Sequence, residues 1–192
     1  MKFLKTIILF SVLLSFSANA LLEVSIIKSK EELFPIVIAP FEVVGGAHQG
    51  TDIANIIRDN LNRSGQFNAL STSELVTNQI DFNFWQEHKK DAVVFGKIEQ
   101  VSSKVFNIYI YIYDVYSEKS LYAKKIAVHN SGIRRIAHYL SDKIYYVLLG
   151  QKGSFDTRLS YVTVSESKTG NRTYRLQISD SDGYNPQTVV KS

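Results

Sequence analysis

The chain has 192 residues, 45% hydrophobic and 21% charged, with no cysteine. That is an ordinary globular composition, enough for about one domain and a remainder. Packing alone must hold it, because disulfides and thiol nucleophiles are excluded. The formal net charge is +4, of which Lys2 and Lys5 carry two. What remains is scattered as surface pairs (Lys89-Lys90, Lys124-Lys125, Arg134-Arg135) and lacks the concentrated basic face of a nucleic-acid binder.

Lys2 and Lys5 precede a short apolar run, Ile7 to Phe16, and Ala18 and Ala20 follow as small residues. This pattern predicts a signal peptide over residues 1–20, cut near Leu21. No later run is long and apolar enough for a membrane helix. Residues 21–32 read as an extended segment, either a strand or a tether. Leu33 to Phe41 is nearly all apolar and predicts a buried strand. A glycine-rich loop follows from Glu42 to Gly50. Ile53, Ile56, Ile57 and Leu61 then share one helical face, with Thr51 as N-cap, Asp52 in the first turn and Gly65 as stop.

"QFNALST" is a short extended piece, and "DFNFWQEHK" a short helix anchored by Trp85. Three strands come next, as an antiparallel meander. The middle one alternates Ile108, Ile110 and Ile112 with Tyr109, Tyr111 and Tyr113, sending isoleucines to a core and tyrosines to the other face. "SGIRRIAHYLSDKIYYVLLG" is the strongest helix, with Ile133, Ile136, Ala137, Leu140, Ile144, Val147 and Leu148 in register. Ser131 is its expected cap and Gly150 its expected end. Residues 33–150 thus predict an α/β (α+β) domain, a mixed sheet covered by two long amphipathic helices. After Gly153, two alternating strands around "KTGN" predict a β-hairpin tail over residues 151–192.

No chemistry-bearing constellation emerges. Gly45 and Gly50 have phosphate-loop spacing, but Thr51 follows directly where a lysine is needed, so the phosphate charge would have no counterion. "DSDG" has its glycine fourth, and no acid follows to complete a calcium loop. His48, His88, His129 and His138 lack metal-ligand spacing, and no serine lies in a nucleophile elbow. The sequence therefore reads as a non-enzyme with no catalytic residue, cofactor or metal.

The segment from Gly153 to Val190 resembles the entry into the β-propeller of the TolB family. Phe155, Thr157, Arg158, Tyr161 and Val162 match one family run, and Asp180, Asp182, Gly183, Tyr184 and Asn185 match a second, D-x-D-G-Y-N. Upstream, "PIVIAPF", "DIANIIRDNLNRSGQFNAL", "DAVVFGKI" and "RRIAHYLSDKIYYVLLGQKG" resemble that family's N-terminal domain in the same order. The resemblance implies a periplasmic component of the Tol-Pal system, serving envelope integrity, cell division and protein or bacteriocin import through protein–protein contacts. It implies TolA as partner of the terminal segment, here Leu22, Glu23, Val24, Ser25, Ile26 and Ile27, and Pal as partner of the propeller. Only the opening of a first blade is expected here, so contact with Pal is expected to be weak or absent. With no neighbouring blade, the hairpin is expected to be mobile or to pair with another molecule. The alternative is a stand-alone periplasmic α/β binding module with a vestigial β tail.

Overall fold

The computed structural model describes residues 33–45, 50–77 and 79–192. The expected signal peptide, the segment 21–32 with Leu22 to Ile27, and the side chains of Thr51 and Asp52 lie outside the described residues.

The apolar run after Leu33 becomes β1 (Phe34–Ile38), which lies between β3 (Phe67–Ser71) and β4 (Ala92–Gln100) and is parallel to both. β4, β5 (Val105–Asp114) and β6 (Lys119–His129) then form the expected antiparallel meander, giving the order β3-β1-β4-β5-β6. The start of the glycine-rich loop differs from expectation. Glu42–Val44 is a strand, β2, parallel to β4 at Lys97 to Glu99. It continues along the same side of β4 that β1 leaves at Val94. Among the described residues it pairs with β4 alone, and its own side chains are exposed, so it carries no alternation to read.

Helix α1 (Gly50–Arg63) and helix α3 (Ile133–Leu149) lie side by side on one face of the sheet. Ile53, Ile57 and Leu61 meet Leu140 and Ile144 over Ile36, Ile38, Ile108, Ile110 and Ile112, all essentially inaccessible to solvent. Each such side chain contributes about 1.5–3 kcal/mol relative to exposure, which makes this layer the main source of stability. The other face carries a smaller core. Trp85 of α2 (Phe82–Glu87) packs with Val37, Val93 and Phe95, and Tyr111 and Tyr113 stack on Phe95 at 5.1 and 5.9 Å. Asp81 caps α2 by accepting from the Phe84 N–H at 3.0 Å.

Ser131 does not cap α3. A single 3-10 turn, Asn130–Gly132, leads into the helix, and the His129 ring accepts from the Ser131 N–H instead. Gly150 ends α3 as expected, left-handed at φ 70° with its N–H on the Tyr146 carbonyl, a conformation that costs other residues more.

The tail is larger than a hairpin. β7 (Arg158–Glu166) and β8 (Arg172–Asp180) pair antiparallel, and a third strand, β9 (Gln187–Lys191), adds to β8. Cross-strand partners share a face. One face aligns Val162, Leu176 and Val190 with Val164 and Tyr174, and these are exposed; the other aligns Tyr161, Gln177 and Thr188 with Thr163, Arg175 and Lys191.

Candidate functional site

The sequence predicts a tail that is mobile or pairs with another molecule; in the structure it contacts α3. Phe155 is buried in the main core, edge-on to Tyr145 of α3 with ring centroids 5.8 Å apart. The Asp142 carboxylate accepts from the backbone N–H groups of Phe155 (2.8 Å) and Asp156 (3.1 Å). Gly153 is required beside it, because a Cβ there would collide with the Asp142 side chain. Ser181, in the turn after β8, closes the junction by donating to the Phe155 carbonyl at 2.6 Å.

One turn upstream on the same helix, Arg134 and His138 meet the turn that follows β8. Their spacing of four residues puts both on one face of α3. Arg134 pairs with Asp180 through Nε at 3.4 Å and with Asp182 through Nη2, and its guanidinium lies 3.8 Å above the Tyr184 ring. Gly183 makes the turn possible with a φ of 82°. The pair is part-buried, so solvent screens it only partly.

His138 is 3% exposed and reaches in both directions. Its Nδ1 lies 2.9 Å from Asn60 Nδ2 of α1, and its Nε2 lies 3.8 Å from Asp182 Oδ2. Asn60 Nδ2 also donates to Ser141 Oγ at 2.9 Å, while Arg63 donates to Asn60 Oδ1 at 2.8 Å. Ser141 Oγ in turn donates to the Ala137 carbonyl at 2.9 Å. Burial pushes the His138 pKa below its ordinary value near 6.5; Asp182 and Asp180 oppose that, while Arg134 and Arg63 add to it.

His138, Asp180 and Asp182 each offer an atom within 4.8 Å of the others, close enough to surround a small cation. Arg134 is already the counterion of both carboxylates, and the Asn60 contact requires Nδ1 as acceptor, which leaves the proton on Nε2. The cluster is thus built as a lock between α1, α3 and the turn.

The sequence-matched residues separate in space. Phe155, Asp180, Asp182, Gly183 and Tyr184 converge on α3. Thr157 donates to the Ser154 carbonyl within the connecting segment. Arg158 opens β7 opposite Asp180, with an exposed side chain. Tyr161 faces Gln177 on the polar side of the three-stranded sheet. Asn60, His138, Ser141 and Asp142 were not singled out as site residues. Asn60 carried a readable signal, since it occupies a position three residues from Ile57 on an otherwise apolar helical stripe.

Among the described residues, no helix is long and apolar enough to cross a membrane. The TolB amino-terminal domain family matches residues 22–121, just over half of the chain. A Tol-Pal system protein TolB from Ruthia magnifica subsp. Calyptogena magnifica is 56% identical over 175 residues, covering 91% of this chain and 41% of that protein. The Tol-Pal system protein TolB of Vesicomyosocius okutanii subsp. Calyptogena okutanii is 54% identical over 90% of this chain and 41% of its own length. The crystal structure of TolB from Acinetobacter baumannii superposes with a TM-score of 0.72 at 34% identity, covering 84% of this chain and 39% of that one. The chain thus spans about two fifths of the length of the relatives it matches. Motif, fold and family match agree: the chain belongs to the TolB amino-terminal domain family.

Proposed function

We propose that this protein is a periplasmic component of the Tol-Pal system and acts by docking other proteins, without covalent chemistry. The observation that carries this is the 56% identity over nine tenths of the chain to a protein named for that system. In this reading, residues 1–20 are a signal peptide and residues 33–150 an α/β docking domain. Residues 151–192 open a propeller whose first sheet is held on α3 through Phe155 and Arg134. The apolar row Val162, Leu176 and Val190 then supplies a face for further β structure to cover, as exposed aliphatic surface of this kind favours burial. Envelope integrity, cell division and protein import are the processes served.

TolA and Pal are the partners proposed, TolA through Leu22, Glu23, Val24, Ser25, Ile26 and Ile27. A short amphipathic terminal segment can add to the edge of a partner's sheet. The test immobilises the 192-residue chain without its first twenty residues and presents TolA and Pal separately. Capture of TolA that disappears when residues 21–32 are removed, with an unchanged thermal transition, is expected. Capture of Pal is expected to be weaker. A chain that captures neither protein refutes the proposal, and TolA capture that survives the deletion refutes the assignment of the segment.

A further inference from the structure

A polar line runs from exposed Arg63 through buried Asn60 and His138 to half-buried Asp182, joining α1, α3 and the 180–184 turn, and the Arg63 contact sets its donor and acceptor roles. Arg63 can only donate, so Asn60 turns Oδ1 toward it at 2.8 Å and Nδ2 toward His138 and Ser141. His138 Nδ1 must then accept, and the neutral ring carries its proton on Nε2, directed at Asp182 but 3.8 Å away and, among the described residues, without a hydrogen-bond partner. Above its midpoint the ring therefore belongs to the α1 side.

A second proton can enter only at Nδ1, where the Asn60 amide hydrogens already point. Its entry requires the carboxamide to turn over, which gives Oδ1 to the ring and takes it from Arg63. The same proton adds positive charge beside Asp182. There, among the described residues, Asp180 and Asp182 are paired with the one guanidinium of Arg134, so the turn is one positive charge short. The charged groups facing the ring are Arg63 from α1, Arg134 from α3, and Asp180 and Asp182 from the turn. Protonation thus breaks the Arg63–Asn60 contact within α1, reverses the direction of the Asn60–His138 hydrogen bond and strengthens the attraction to Asp182.

We propose that Asn60 and His138 form a proton-operated switch: on acidification the Asn60 carboxamide turns over, releases Arg63 and keeps its contact with the ring as acceptor, while the contact of His138 with the 180–184 turn tightens. It stands on the geometry of this junction alone and holds whichever partners the protein docks.

The test is an acid titration of the nitrogen-15-labelled full chain, reading imidazole nitrogens, the Asn60 carboxamide and the backbone amides of residues 181–184. At neutral pH His138 is expected with Nδ1 unprotonated and Nε2 protonated. As pH falls, the Asn60 carboxamide and the turn amides are expected to shift with one midpoint, that of His138, below 6.5. Asn60→Asp offers an acceptor to a protonated Nδ1 and is expected to raise that midpoint by more than about one unit, a tenfold change in proton affinity. Arg63→Ala frees the carboxamide and removes a nearby positive charge, and is expected to raise it by a smaller amount. If Asn60→Asp fails to fold, the parent and Arg63→Ala titrations decide. A neutral ring protonated on Nδ1, turn amides that do not follow His138, or a midpoint unmoved by these variants would overturn the proposal.

Discussion

Replacing Phe155 by alanine tests whether the three-stranded tail is part of the folded unit. Its ring is 8% exposed and belongs to the same apolar cluster as Leu140 and Ile144. Truncating a buried phenylalanine costs about 3–5 kcal/mol through lost transfer energy and the cavity left behind. Phe155 lies at the margin of the cluster, where the connecting segment can settle inward, so the lower end applies, about 3 kcal/mol. Part of that is the edge-on contact with Tyr145, of a kind worth about 0.5–1.5 kcal/mol. For a folded unit of this size each kcal/mol moves the midpoint by about 2–4 °C, giving a drop of roughly 6–12 °C. The assay is thermal unfolding by circular dichroism, with Val162→Ala on the exposed sheet face as a control expected within about 0.5 kcal/mol of the parent. A Phe155→Ala chain that melts with the control would show that the tail hangs free of α3. Truncation after Gly153 should destabilise for the same reason, whereas removal of a mobile hairpin would leave the transition almost unchanged.

Ile57→Asp and Leu140→Asp place a charge at fully buried positions of α1 and α3; each should cost several kcal/mol and abolish the cooperative transition, and a melt like the parent's would refute the helix-face assignment. Arg134→Met removes the ion pairs with Asp180 and Asp182 and the stack on Tyr184, and should cost about 1–2 kcal/mol by urea denaturation with part of the loss masked at high salt. The His138 pKa is lower folded than unfolded, so between the two values the unfolded chain binds more protons and stability rises with pH. Stability should therefore be complete above the ordinary value near 6.5 and fall as pH drops from there through the folded pKa. Urea midpoints that are flat across that window, or unchanged in their slope by His138→Gln, would contradict this.

The family and the main elements were legible because they are local patterns. The alternation of Ile108, Ile110 and Ile112 with tyrosines places one face under the helices. The stripe from Ile133 to Ile144 and the left-handed Gly150 bound α3 without any knowledge of its neighbours. Other features have no local signature. Nothing within Phe34–Ile38 says that it pairs with both Phe67–Ser71 and Ala92–Val94, and exposed Glu42–Val44 and Gln187–Lys191 show no burial pattern to mark them as strands. Asn60 and His138 stand 78 residues apart, and Arg134 and Asp182 stand 48 apart. Helical spacing could flag Asn60 as a polar residue in an apolar stripe, but only the packing of α1 on α3 supplies its partner. Sequence periodicity determined which face of each element is apolar, because that is set by neighbours a few residues away. The anchored tail and the buried lock were decided by tertiary structure, because a hydrogen bond or ion pair between distant residues exists only after the cores have brought their helices together.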